Sequence, residues 1–128
     1  MARTKKKRPE KSLAHDCIVE LQTAITEVRN GQKTSPRTAQ LLAAGLPRMA
    51  QKLGEEATEV VIEAVRGERS AVINESVDLL YNLVVVWSEL GITASDVWAE
   101  MDRRQALLRM AEKLPKEVGV VSTSSGGP

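Results

Sequence analysis

Aromatic residues are nearly absent from this chain. Its 128 residues include no Phe, one Tyr and two Trp, although hydrophobic residues make up 42% of the total. A core must therefore be built from Leu, Val, Ile, Ala and Met, which suits helices packed on helices. Strand-like alternation and internal repeats are also absent, so the sequence predicts an all-α fold, a helical bundle of about five helices.

Cysteine and long apolar runs are scarce as well. The single Cys17 cannot form an intramolecular disulfide, which favours a reducing compartment. No apolar run reaches the roughly 18 residues that span a bilayer, and the first residues lack the apolar core of a signal peptide. We therefore expect a soluble, cytoplasmic protein of one domain, with no membrane partner.

Positive charge is concentrated at the beginning of the chain. Residues 1–9 hold five of the 18 basic residues and no acid, which leaves 13 basic against 17 acidic residues elsewhere. A basic tail could bind nucleic acid, but no aromatic or further basic residues accompany it, so a disordered tail is favoured and nucleic acid is not an expected partner. Ser and Gly dominate the end of the chain, so we predict a second disordered tail over 115–128 and a helical domain over 10–114.

Glycine and proline divide this domain into helices. The predicted helices are Pro9 to about Val28, Thr38 to Ala44, a long helix with Pro47 in its first turn that ends at Arg66, Glu68 to Leu90, and a last helix that begins near the Thr93-x-x-Asp96 sequence. We expect Val97, Met101 and Leu108 of the last helix to face inward. Gly54, inside the long helix, costs about 1 kcal/mol relative to Ala, which either close helix packing or the approach of a ligand would explain.

Acidic residues border the core on two of the predicted helices. At 3.6 residues per turn, one stripe of the long helix consists of Lys52, Glu55, Glu56, Glu59 and Glu63. A second acidic pair, Glu75 and Asp78, lies three residues apart at the head of the most apolar run in the chain. The rest of the chain can be interpreted as a scaffold that brings these acids together.

Carboxylates next to an apolar run need a compensating charge. Burying an unpaired carboxylate costs several kcal/mol, and Lys52 alone cannot balance so many acids. Mg²⁺ or Mn²⁺ can, since these ions accept carboxylate oxygens, whereas bundle di-iron sites need Glu-x-x-His motifs that are absent here. Such a metal beside a lysine indicates hydrolysis of a phosphoanhydride.

The two acidic motifs also resemble those of a known family. Glu55-Glu56-x-x-Glu59, followed after fifteen residues by Glu75-x-x-Asp78, resembles the signature of all-α nucleotide pyrophosphohydrolases of the MazG type. Within that superfamily, the sequence from about Thr34 to Arg104 looks like the phosphoribosyl-ATP pyrophosphatases of histidine biosynthesis.

This resemblance implies Mg²⁺-dependent cleavage of phosphoribosyl-ATP into phosphoribosyl-AMP and pyrophosphate. Carried over by position, the implied metal ligands are Glu56, Glu59, Glu75 and Asp78. Glu55 or Glu59 would help to position the water, and Lys52 would contact phosphate. A nucleotide is therefore the expected substrate, and Mg²⁺ is the expected cofactor, with Mn²⁺ as the alternative.

The chain departs from the family pattern at two places. A Ser-aromatic-Thr sequence is replaced by Ser35-Pro36-Arg37-Thr38, and Leu-Tyr-His is replaced by Leu80-Tyr81-Asn82. We expect Arg37, Thr38 and Asn82 to bind substrate and to retune the recognition of base or ribose.

Assembly is expected as well. Family members form dimers whose helices complete a bundle, and the apolar run from Val77 to Trp87 predicts a face that a second copy covers, in a homodimer or a larger assembly. Two other functions stay open on the sequence. One is a house-cleaning nucleoside triphosphate pyrophosphohydrolase, and the other is a non-catalytic helical dimer that binds a nucleotide or a protein.

Overall fold

The computed structural model describes residues 10–113, with side chains from residue 17 onward. Within that part of the chain there are five α-helices and no strand, which confirms the all-α prediction. The helices are α1 (Glu10–Arg29), α2 (Pro36–Ala44), α3 (Leu46–Arg66), α4 (Arg69–Glu89) and α5 (Ala94–Lys113). The predicted tails, residues 1–9 and 115–128, lie outside the described residues.

Local capping explains where α2 begins and where α3 ends. Ser35 precedes α2, and its Oγ accepts a hydrogen bond from the backbone N–H of Thr38 at 3.4 Å. Pro36 follows at the first helical position, where no N–H is needed, so α2 begins before the predicted Thr38. Gly67 ends α3 with φ of 71°, a conformation that strains other residues, and its N–H donates to the Ala64 carbonyl at 3.1 Å.

The chain divides into two compact units, Met1–Ala94 and Ser95–Pro128. In the first unit, α3 and α4 form the largest helix contact, α1 packs on α4, and α2 packs on α1 and α3. Their shared core consists of Ile25, Leu41, Met49, Val84 and Val85. This packing holds the acidic face of α3 beside the acidic face of α4.

The apolar run of α4 is divided between the core and the surface. Val84 and Val85 are completely buried within the chain itself, whereas Val77 is 62% exposed and Leu80 is 45% exposed. The apolar surface left uncovered is therefore the first half of the run and not its centre. Exposed apolar residues near the end of α3, including Val65, extend this surface.

The expectation that Met101 and Leu108 face inward is wrong. Met101 is 52% exposed and Leu108 is 64% exposed, while Val97 is half-buried. The physical reason is that α5 is the only helix among the described residues of the second unit, Ser95 to Lys113. An amphipathic pattern predicts burial only if a second element covers the apolar side.

Gly54 lies in open space on α3. A Cβ atom built at this position meets no other residue within 4 Å. Close packing within the chain therefore does not explain the glycine. Within the described part of the chain, no single helix is both long and apolar enough to cross a membrane.

Candidate active site

Three carboxylates from two helices converge in the first unit. Glu56 belongs to α3, and Glu75 and Asp78 lie on one face of α4 because they are three residues apart. Their carboxylate oxygens all lie within 4.8 Å of one another, and all three residues are half-buried. The structure thus brings together three of the four residues predicted as metal ligands, which we call the acid cluster.

The neighbours of Glu75 in the acid cluster disfavour the ionised form of its carboxyl group. A hydrogen bond with the Glu56 carboxyl raises the pKa of Glu75, and burial and the charges of Glu56, Asp78 and Glu59 raise it further. Glu59, the fourth predicted ligand, is exposed and lies outside the group of short oxygen–oxygen distances, although its charge reaches Glu75. Like charges held this close favour the binding of a cation.

The acid cluster fits a hard divalent cation. Mg²⁺ binds oxygen at about 2.0–2.1 Å in an octahedron, which places neighbouring ligand oxygens roughly 3–4 Å apart. The oxygens of the cluster lie within 4.8 Å of one another, which is close to that spacing. All donors in the cluster are carboxylate oxygens, which suits Mg²⁺ or Mn²⁺ better than softer metals.

Basic side chains form long ion pairs with two acids of the cluster. The Lys52 Nζ lies 3.8 Å from Glu56, and the Arg37 guanidinium lies 3.7 Å from Asp78. Both distances exceed the roughly 2.7–2.9 Å of a charge-assisted hydrogen bond. Arg37 also lies over the Tyr81 ring, 5.1 Å from its centroid.

A cleft of about 330 Å³ begins beside these basic residues. Its polar lining comes from Arg37, Gln40, Arg48, Lys52 and Asn82, on helices α2, α3 and α4. The volume is at the small end of the roughly 300–1,000 Å³ that ligand pockets occupy. Three cations in so small a space make the cleft suited to an anionic group.

Asn82 contributes an unpaired acceptor to the wall of this cleft. The residue is 1% exposed, and its Nδ2 donates to the Asp78 carbonyl at 2.8 Å. That bond orients the amide so that Oδ1 is the acceptor, and this buried atom has no hydrogen-bond partner. A buried acceptor without a partner is unfavourable, so this oxygen is a polar group that the described side chains leave unsatisfied.

The remaining predicted site residues are placed differently. Glu55 is exposed, 3.6 Å from Arg48 and 3.8 Å from Lys52. Thr38 is buried, and its hydroxyl oxygen lies 2.6 Å from the Tyr81 hydroxyl, which links α2 to α4. Thr38 is not among the residues that line the cleft.

Two lining residues, Arg48 and Gln40, were missed by the sequence reasoning. Arg48 had a usable signal, since it lies four residues before Lys52 and therefore on the same face of α3. Gln40 had none, because its position depends on how α2 packs against α3.

A larger hollow of about 630 Å³ lies where α1 approaches the end of α4. Gln22 is one of its lining residues, and its side chain donates to the Ile92 carbonyl at 2.7 Å and accepts from the Ala94 N–H at 2.9 Å. None of the acid cluster lines this hollow. Volume alone therefore does not make it the functional site.

Comparison with known protein families identifies the kind of protein to which this site belongs. The family model described as phosphoribosyl-ATP pyrophosphohydrolase matches residues 18–105. The chain belongs to this family. The matched segment contains all three residues of the acid cluster and every residue that lines the cleft of about 330 Å³.

Curated members of the phosphoribosyl-ATP pyrophosphohydrolase family are similar over most of their length. Phosphoribosyl-ATP pyrophosphatase 2 of Rhodopseudomonas palustris is 54% identical over 101 residues, which cover 79% of this chain and 77% of that protein. The protein of the same name from Bradyrhizobium diazoefficiens is 50% identical, covering 79% and 75%. Phosphoribosyl-ATP pyrophosphatase of Gluconobacter oxydans is 44% identical, covering 76% and 77%.

Proposed function

We infer that this chain hydrolyses phosphoribosyl-ATP to phosphoribosyl-AMP and pyrophosphate, a reaction of histidine biosynthesis. One water is added across the anhydride that joins the α and β phosphates. The observation that carries this conclusion is the acid cluster beside a cationic cleft, in a chain that belongs to the phosphoribosyl-ATP pyrophosphohydrolase family.

Mg²⁺ is the metal proposed for the acid cluster, with Mn²⁺ as the alternative. Its ligands would be Glu56, Glu75 and Asp78, and Glu59 would supply a fourth carboxylate from the next turn of α3. When bound, the ion supplies positive charge that neutralises phosphate oxygens. The raised pKa of Glu75 supports this role, since a hydrogen bond with Glu56, burial and the charges of neighbouring acids all disfavour its ionised form, which a bound cation would favour.

Lys52 is the proposed phosphate contact, and Glu55 or Glu59 is the proposed group that positions the water. Lys52 lines the cleft and also lies 3.8 Å from Glu56, so its ammonium group is at the junction between the cleft and the acid cluster. Glu55 and Glu59 are exposed acids on the same helix, accessible to solvent water. A carboxylate in either place can accept a proton from the attacking water.

Substrate recognition is assigned to Arg37, Asn82 and, indirectly, Thr38. Arg37 and Asn82 line the cleft, so both are placed to contact the part of the substrate that enters it. Thr38 would act through Tyr81, because the hydroxyl contact between them fixes the ring on which Arg37 rests.

Pyrophosphate release is the assay that tests this function. The purified protein is given Mg²⁺ with phosphoribosyl-ATP, or with each member of a panel of nucleoside triphosphates. We expect phosphoribosyl-ATP to be cleaved fastest. We also expect Glu56→Gln to abolish release, whereas Glu27→Gln, which removes an acid outside the cluster, should retain it. Equal turnover of ordinary nucleoside triphosphates would contradict the substrate assignment.

A homodimer is proposed as the working assembly. Large apolar residues are exposed on α3 and α4 near the turn that joins these helices, namely Val61, Ile62, Val65, Ile73, Val77 and Leu80. Soluble monomers rarely leave a large contiguous apolar patch uncovered. Pairing of two copies about a two-fold axis would bury these residues against their equivalents.

A further inference from the structure

Arg48 has no role in the function described so far, although it lines the cleft. It lies one helical turn before Lys52 on α3, and Arg37 faces the same cleft from α2. Three cationic side chains therefore border a space of about 330 Å³. This arrangement provides more positive charge than a single phosphate group requires.

Within the described part of the chain, the three cations are at ion-pair distance from acids but make no short charge-assisted hydrogen bonds with them. Arg37 lies 3.7 Å from Asp78, and Arg48 lies 3.6 Å from Glu55. Lys52 lies 3.8 Å from both Glu55 and Glu56. Charge-assisted hydrogen bonds are shorter, about 2.7–2.9 Å. The side chains thus keep donors for a ligand.

The backbone adds to the positive potential of the cleft. Helix α3 begins at Leu46, has no acid in its first turn, and carries Arg48 in that turn. The N-terminus of a helix bears a partial positive charge that favours anions. The cleft therefore combines three cationic side chains with the favourable end of a helix dipole.

The order of the residues along α3 gives the cleft a direction. Lys52 is one turn from Glu56 of the acid cluster, and Arg48 is one turn further away, about 5.4 Å along the axis. A chain of phosphates that begins at the acid cluster and passes Lys52 would reach Arg48 with its far end.

We propose that this cleft receives the diphosphate end of the substrate, the part that leaves as pyrophosphate, and that Arg48 binds its terminal phosphate. The inference rests on the proposed function and adds which part of the substrate occupies the cleft. The forked guanidinium of Arg48 donates two parallel hydrogen bonds to phosphate, which an ammonium group cannot do.

The chemistry of the reaction agrees with this placement. The water oxygen bonds to the α-phosphorus, the bond from that phosphorus to the bridging oxygen breaks, and this oxygen leaves on the β-phosphate. The proton of the water passes to a carboxylate. Negative charge grows on the departing diphosphate, so cations fixed around it stabilise the transition state more than the substrate.

Binding of inorganic pyrophosphate tests the proposal without turnover. Calorimetric titrations in Mg²⁺ compare the full chain with Arg48→Gln, with Arg48→Lys, and with Arg66→Gln, an exposed arginine of α3 outside the cleft. Arg48→Gln should weaken pyrophosphate binding about tenfold or more, because a hydrogen bond to a charged group is lost. Arg48→Lys should lose less, and Arg66→Gln should change affinity less than about twofold.

Orthophosphate and ribose 5-phosphate serve as comparison ligands. Arg48→Gln should weaken the binding of both ligands less than it weakens the binding of pyrophosphate. An equal loss for orthophosphate would overturn the proposal in favour of general charge attraction, and a larger loss for ribose 5-phosphate would assign the cleft to a phosphorylated sugar. Unchanged pyrophosphate affinity in both Arg48 variants would also overturn it. Failure to cleave phosphoribosyl-ATP, with Arg48-dependent pyrophosphate binding intact, would refute the proposed function alone.

Discussion

Divalent metal should stabilise the folded protein against heat through the acid cluster. A ligand that binds only the folded state contributes about 2.7 kcal/mol at a concentration 100 times its Kd. An unfolding entropy of about 2.1 cal/mol/K per residue corresponds to about 0.22 kcal/mol/K for the helical domain predicted over 10–114. Saturation with Mg²⁺ or Mn²⁺ is therefore expected to raise the Tm by about 12 °C.

Asp78→Asn should remove nearly all of this effect. The amide keeps the shape of the side chain but lacks the charge that a hard cation needs. Loss of an outer partner of a metal ligand already weakens binding about 10- to 100-fold, so loss of a ligand should weaken it at least about 100-fold. At the same metal concentration the stabilisation falls to about 0.4 kcal/mol, or 1–2 °C.

Without metal, Asp78→Asn is not expected to lower the Tm. Asp78 lies within 4.8 Å of two other carboxylates, and its charge helps to raise the pKa of Glu75. Removing that charge relieves repulsion, so Asp78→Asn should melt at or slightly above the temperature of the unmodified protein in chelator.

Thermal melts followed by circular dichroism, in chelator and in metal, measure both effects. Glu27→Gln is the matched control, since Glu27 is paired with Lys33 at 2.9 Å outside the acid cluster and should keep the full metal response. A full metal-induced shift in Asp78→Asn would refute the assignment of the cluster. So would a metal-free variant that melts several degrees lower than the unmodified protein.

Three further predictions follow from other parts of the molecule. Gly54→Ala meets open space and should stabilise the protein by about 1 kcal/mol, or about 4 °C in Tm, and a lower Tm would show an undetected contact. Val77→Glu should convert a dimer to monomers in sedimentation without unfolding the chain, because Val77 is exposed. Val85→Glu should instead unfold the chain by placing an unpaired charge in the core. A native protein that sediments as a fully active monomer would contradict the proposed dimer. Two arginines on α5 donate hydrogen bonds to Glu100 and lower its pKa to about 2, so the stabilisation is present above the ordinary pKa of 4.5 and is lost as the pH falls toward about 2. A carboxyl titration by NMR with a midpoint near 4.5 would show that these contacts do not persist in solution.

The existence of five helices and the three acids of the cluster could be predicted from the sequence, although the same reasoning also included Glu59, which lies outside the cluster. Helix ends are local events, set by residues such as Ser35 and Gly67, whose effects act within one turn. The three-residue spacing of Glu75 and Asp78 places them on one face of any helix. Their excess of negative charge over nearby positive charge was also visible from the sequence, which is why a metal could be inferred.

Which polar and apolar residues these helices bring together or leave exposed depends on how the helices pack. Arg48 became a lining residue, and Asn82 became a buried acceptor, because α2, α3 and α4 meet around one cleft. Val77 and Val85 belong to the same apolar run, yet one is on the surface and the other in the core. Periodicity tells which residues share a face of a helix, but burial depends on which neighbour covers that face, and that neighbour is distant in the sequence.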